Sequence, residues 1–183
     1  MVNPEEGTRA ILDFWFDEIG PDRWWVRSQE TDNAIIDRFQ PLWEEWRERT
    51  PRSFLTSPRD ALAGIILFDQ FPRNMFRGHA DAFSTDPLAL AIAKGAVDSG
   101  LHERLDEDGR SFLYMPFQHS EVLADQQRSL ALFTALGNAN SLDFARKHFD
   151  MIERYGRFPA RNAALGRADR SGEQAAIEIS KAW

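Results

Sequence analysis

Apolar residues return along this chain at intervals of three and four, the spacing that lines one face of a helix. Ile11, Leu12, Trp15 and Ile19 form the first such stripe, which Thr8 can cap and Gly20-Pro21 ends. A second helix is predicted from about Gln29 to Arg49, with Ile35, Ile36, Phe39, Leu42, Trp43 and Trp46 inward and a kink or break at Pro41. Ser57-Pro58-Arg59-Asp60 is a start signal, Ser as cap and Pro in the first turn, for a helix that should stop near Phe71, before Pro72. Thr85 or Asp86 before Pro87 opens another, closed by Gly100. A fifth is expected over Ser120 to Leu136 and a sixth over Ser141 to Tyr155, ended by Gly137 and Gly156. Shorter helices around Pro159–Leu165 and Glu173–Ala182 complete the set.

No sustained alternation of apolar and polar residues suggests strands. The pattern therefore predicts an all-α fold, residues 1–183 as one domain, with antiparallel helix hairpins stacked on each other. Five of the six Trp, at 15, 24, 25, 43 and 46, point to an aromatic core between the first two helices, with Trp24 or Trp25 as an interface anchor if exposed.

Composition fits that picture. At 183 residues, 43% hydrophobic and 28% charged, the chain is an ordinary globular one. A chain of this size buries roughly 70% of its unfolded surface and needs no disulfide or metal to fold. The absence of cysteine removes thiol catalysis, thiolate metal sites and iron–sulfur clusters. Met1 to Glu6 lacks the start of a signal peptide and Ala61–Phe68 is too short to span a bilayer, so a cytoplasmic protein without membrane attachment is expected.

A net charge of −7 argues against nucleic acid as a partner. The charge is uneven, however. Residues 1–50 carry six Arg against twelve acids, while 154–170 carry Arg154, Arg157, Arg161, Arg167 and Arg170 against Asp169 alone. A local cationic patch can exist on this acidic chain.

One internal echo stands out: Asp69-Gln70-Phe71-Pro72-Arg73-Asn74 is mirrored by Gly156-Arg157-Phe158-Pro159-Ala160-Arg161-Asn162, each just after a predicted helix end. Asp69 and Gln70 extend the stripe of Leu62, Ile65 and Ile66, and an inward carboxylate requires a partner. Arg73 lies one turn on, with Arg77 nearby; Arg157 or Arg161 are candidates from the second copy. Converging guanidinium groups hold either an internal acid or an anionic ligand, and Asn74 and Asn162 would add hydrogen bonds. Both readings stay open, helix-end ties or ligand contact.

The second constellation is Tyr114 to Gln126. Glu121 and Asp125 would open the fifth helix, with His119 at or beside its cap. Either His119 is a neutral base oriented by Glu121 or Asp125, or the segment is a capping box with a satisfied histidine. No His-Glu-x-x-His, EF-hand, phosphate loop, dinucleotide fingerprint or nucleophile elbow is present, so neither metal nor cofactor is expected.

Three stretches, Phe68–Gly78, Phe112–Glu121 and Gly156–Asn162 followed by Leu165-Gly166-Arg167, resemble in order the signatures of the bacterial domain-of-unknown-function family 924. The resemblance implies an all-helical, tetratricopeptide-repeat-like superhelix without strict sequence repeats, and no established activity. Where that family usually reads Phe-Pro-His-Arg-Asn this chain has Ala160, and from Ser171 it follows the pattern poorly. The expected function is binding of, and action on, a small carboxylate or phosphate in an Arg/Asn/His-lined cleft. The alternative is a protein- or peptide-binding module whose Arg and Asn motifs are structural.

Overall fold

The computed structural model describes residues 3–180, which are helical with no strand among them. The chain divides into two compact units, one made of residues up to Arg77 together with Asp81–Pro116, the other of Gly78–Ala80 and the residues from Phe117 onward. Among the described residues no helix is long and apolar enough to cross a membrane.

The first unit opens with α1 (Pro4–Leu12), capped by the Asn3 side chain rather than by Thr8. Thr8 lies inside the helix and donates to Asp60 Oδ1 at 2.9 Å. The winding then widens to a π-helix over Asp13–Ile19, which ends at Gly20. Next, α2 (Gln29–Trp46), capped by Ser28, runs through Pro41. The Ser57 cap and Pro58 start α3 (Pro58–Ile65) as expected.

Pro72 does not end the helix. The chain passes through a π-helical stretch, Ile66–Gln70, into α4 (Phe71–Met75). Pro72 has no N–H to offer the carbonyl four residues back. That carbonyl, Phe68 O, instead accepts from Thr85 Oγ1 at 2.7 Å. Thr85 in turn accepts from the Trp43 indole at 3.2 Å and precedes α5 (Asp86–Asp98). A proline that breaks the hydrogen-bond ladder thus recruits the start of another helix.

The core of this unit is aromatic. Phe14, Trp15, Phe39, Phe71 and Phe112 are buried, and Phe112 contacts the rings of Trp15, Phe16, Trp24 and Trp25. Trp24 is anchored by its indole on Trp15 O at 2.7 Å, whereas Trp25 is 65% exposed and stacks on Phe112. At the crossing of α1 and α2, a Cβ on Gly7 would lie 2.5 Å from the buried ring of Trp46. Gly7→Ala is therefore expected to destabilise by about 1–3 kcal/mol through overpacking, read as a lower urea midpoint at unchanged slope.

Between Leu105 and Ser120 lies a helix that local signals concealed, α6 (Glu107–His119), with Pro116 inside it. The boundary between the units falls within α6, after Pro116. The second unit continues with α7 (Leu123–Leu136) and α8 (Ala139–Tyr155), an antiparallel pair expected from their short connection. Gly137 and Gly156 take φ of 81° and 66°, the left-handed conformation that closes a helix. A short 3-10 turn, Pro159–Arg161, leads toward α9 (Glu173–Ser180), packed on Met151, Ile152 and Phe158 through Ala176. Residues 181–182 of the expected last helix lie outside the described residues.

Candidate functional site

In the first unit, the π-helical stretch brings Asp69 and Gln70 inward together. Asp69 is fully buried, and the Gln70 amide donates both to it and to Met115 Sδ, the latter at 3.3 Å. Arg73 supplies the expected partner. Its Nη1 lies 3.5 Å from Asp69 Oδ1 and also donates to the Asp69 carbonyl, while its two nitrogens grip Asp86 at 2.9 and 3.0 Å. Burial alone would lower the guanidinium pKa, but Asp69 and Asp86 outweigh it and raise the value. Arg73 therefore ties α4 to the first turn of α5.

Asn74 and Arg77 converge on one carboxylate, Asp32 in the first turn of α2. Asn74 Nδ2 donates to Oδ1 at 2.8 Å and Arg77 Nη2 to the same oxygen at 2.7 Å, with Nε on Oδ2. Burial pushes the Asp32 pKa up, and the bonds from Arg77 and Asn74 more than reverse that, holding it below the usual carboxylate range.

The second unit repeats this device. Asn162 Nδ2 donates to Glu173 Oε2 at 3.0 Å, and Arg157 grips both oxygens of Glu173 at 2.8 and 2.7 Å. In each unit, then, the echo's Asn amide shares one buried carboxylate with a two-pronged Arg, but the Arg differs. It is Arg77, three residues after Asn74, in the first and Arg157, five before Asn162, in the second. The matched Arg73 and Arg161 bind Asp86 and the His119 carbonyl. Asn162 also donates to Asp169 and accepts from Arg167.

His119 sits at the opposite end of a helix from the one expected: it is the last residue of α6, and α7 begins only at Leu123. The N-terminal environment inferred for its ring therefore does not exist. The reason is the apolar run Phe112 to Phe117, whose burial carries α6 through a segment for which the sequence predicted no helix.

The carbonyls around it are all engaged. Gln126 Nε2 donates to Gln118 O and Ser120 O, each at 2.7 Å, and Arg161 Nη2 donates to His119 O at 2.9 Å. The Arg161 guanidinium lies 4.6 Å from the centroid of Phe158, whose ring is 5.5 Å from His148, itself 6.1 Å from His119. Two imidazoles, an arginine and a phenyl ring thus close a circuit.

Neither acid of the constellation is a simple bystander. Glu121 is gripped by Arg167 at 2.8 and 3.0 Å and accepts from Phe158 N at 2.8 Å. Burial raises its pKa, but the Arg167 bond, the Phe158 N–H and the charges of Arg167 and Arg161 bring it below the ordinary value. A carboxylate held ionised in this way fixes the Arg157–Asn162 turn. Asp125, buried, accepts from Ser120 Oγ at 2.8 Å.

The residues divide by unit. Asp69, Gln70, Arg73, Asn74 and Arg77 gather in the first, and His119, Glu121, Asp125, Arg157, Arg161 and Asn162 in the second. Sequence reasoning did not foresee Asp32, Asp86 and Glu173 as the anions. Among the described residues no group of three or more His, Asp or Glu is placed to hold a metal ion.

These features define an all-helical protein whose paired motifs build carboxylate clamps. The chain belongs to the bacterial family of proteins of unknown function DUF924, whose pattern it matches over residues 11–180, α9 included. A solved structure of a protein of unknown function from Agrobacterium tumefaciens is 38% identical, with a TM-score of 0.90, and the match covers 97% of this chain and 99% of that one. A comparison with curated proteins gives no match.

Proposed function

We propose that the chain binds a small carboxylate or phosphate compound at the His119–His148–Arg161 cluster of the second unit. The observation that carries this reading is the circuit itself: two partly exposed imidazoles and a guanidinium held together by the His119 carbonyl and the Phe158 ring. The planar fork of a guanidinium suits an anion of either class. Imidazole is the side chain best suited to proton transfer near neutral pH, so His119 is the group to act on a bound compound. Arg157 and Asn162 serve this site indirectly, as ties of the turn that carries Arg161, whereas Arg73, Asn74 and Arg77 tie helix ends within the first unit.

Titrating inorganic phosphate and small mono- and dicarboxylates, followed by calorimetry and thermal shift, tests the reading. Saturable binding with Kd on the order of 1 mM or tighter is expected. Arg161→Gln should weaken it at least about tenfold, the loss of one charge-assisted contact, while its melting temperature stays near that of the parent. Absence of saturable binding, or equal binding by the Arg161 variant, overturns it.

Exposure of Trp25 on the face of Phe112 favours the second reading, a protein-binding surface on a tetratricopeptide-like scaffold. If Trp25→Ala abolishes capture of a stoichiometric partner while Arg161→Gln leaves it intact, that reading takes precedence.

A further inference from the structure

We infer that the compound held at this cluster carries a hydroxyl group as well as its anionic group, and that Gln126 and Ser129 of α7 receive the hydroxyl. The inference rests on the anion-binding reading above and names the ligand more closely. Its basis is a pair of buried polar atoms. Gln126 and Ser129 are fully buried, one helical turn apart and so on one face of α7. The orientation of the Gln126 amide is fixed, because its nitrogen donates to two carbonyl oxygens, Gln118 O and Ser120 O. This leaves Gln126 Oε1 without a hydrogen-bond donor, and Ser129 Oγ is likewise without a partner.

Buried polar atoms are costly to leave unsatisfied, and two on neighbouring positions of one helix face call for a common explanation. Their chemistry is complementary to an alcohol. Gln126 Oε1 only accepts, whereas Ser129 Oγ both donates and accepts. One ligand hydroxyl can donate to the first and accept from the second. The location is also specific, since the amide that carries the first orphan grips the carbonyls on either side of His119, and Arg161 holds the carbonyl between them. An anionic group at Arg161 and a hydroxyl at Gln126 and Ser129 describe a hydroxy acid or a phosphorylated polyol.

Matched probes separate this inference from the reading on which it rests. Lactate is compared with propionate, malate with succinate, and glycerol phosphate with propyl phosphate, by calorimetry on the full chain. The hydroxylated member of at least one pair is expected to bind about tenfold tighter than its partner. In Ser129→Ala that ratio should fall to within about twofold. The variant should melt no lower than the parent, because it deletes an unsatisfied hydroxyl and places a better helix former in α7. If both members of every pair bind equally, or the preference survives in Ser129→Ala, the hydroxyl assignment is wrong while anion binding stands. If crystals show only an ordered water on the two atoms and no pair shows a preference, the assignment fails in the same way. If no probe binds at all, the anion-binding reading fails and this inference with it.

Discussion

Arg73→Ala is expected to destabilise the chain by about 3–5 kcal/mol, the cost of removing one partner from a buried ion pair. Asp69 has no exposed surface and lies 3.5 Å from the guanidinium, so the truncation takes this counter-charge from a carboxylate that water does not reach. Asp86, whose side chain is 19% exposed, recovers part of its hydration, but the tie between α4 and α5 is lost. Urea unfolding should show the midpoint falling while the slope is kept, the mark of a stability change without a change in the denatured state. Adding Asp69→Asn to Arg73→Ala should restore part of the loss, since a neutral amide is cheaper to bury than a carboxylate deprived of the Arg73 charge. A loss below about 1 kcal/mol would place Arg73 among ordinary surface pairs and return it to the candidates for direct ligand contact.

That expectation bears on how far the sequence could be read. Helix ends marked by a local chemical necessity were legible: Ser57 before Pro58 caps α3, and Gly137 and Gly156 close their helices in the left-handed conformation. Where a breaker was outvoted by burial, local reading failed. Gly109 and Pro116 argue against a helix, yet Phe112, Leu113, Tyr114, Met115 and Phe117 are buried along one, and α6 forms through both. Pro72 reads as a stop, yet the orphaned Phe68 carbonyl finds Thr85 seventeen positions away. No local rule supplies that donor.

The site shows the same division. The arginines and asparagines were recognisable because they occur twice in the same order, but their anions were not. Asp32 and Asp86 sit in first helical turns, where acids are expected for their interaction with the helix dipole alone. Asp32 is 42 residues from Asn74, and a single carboxylate at that separation carries no pattern. His119 was found as a motif residue and placed at the wrong helix end, because α6 itself was missed.

Glu173→Gln is the substitution that should most disturb the second unit, and its pH dependence identifies the cause. Glu173 is 1% exposed at the start of α9 and accepts from Arg157 Nε and Nη2, from Arg170 N and from Asn162 Nδ2. The Arg157 bond lowers its pKa most, burial opposes it, and the Arg170 N–H and Asn162 amide add to the lowering, from an ordinary 4.5 to about 2. Because the folded value lies below the unfolded one, this stabilisation is complete above pH 4.5 and is lost as the pH falls through about 2. Glutamine keeps the shape but leaves the buried Arg157 without its counter-charge. At neutral pH, amide exchange in Glu173–Ser180 should accelerate by orders of magnitude, while α5 exchanges as in the parent. Arg157 and Asn162 flank Arg161 in the chain, so anion binding should weaken together with that protection. Below pH 4.5 the difference between parent and variant should narrow, because the carboxyl of the unfolded parent takes up a proton there while the folded one stays ionised until about pH 2. A difference that persists undiminished to about pH 2 would overturn the assignment of this stabilisation to the ionised carboxylate, and a variant that matches the parent at neutral pH would mean that shape rather than charge holds the clamp.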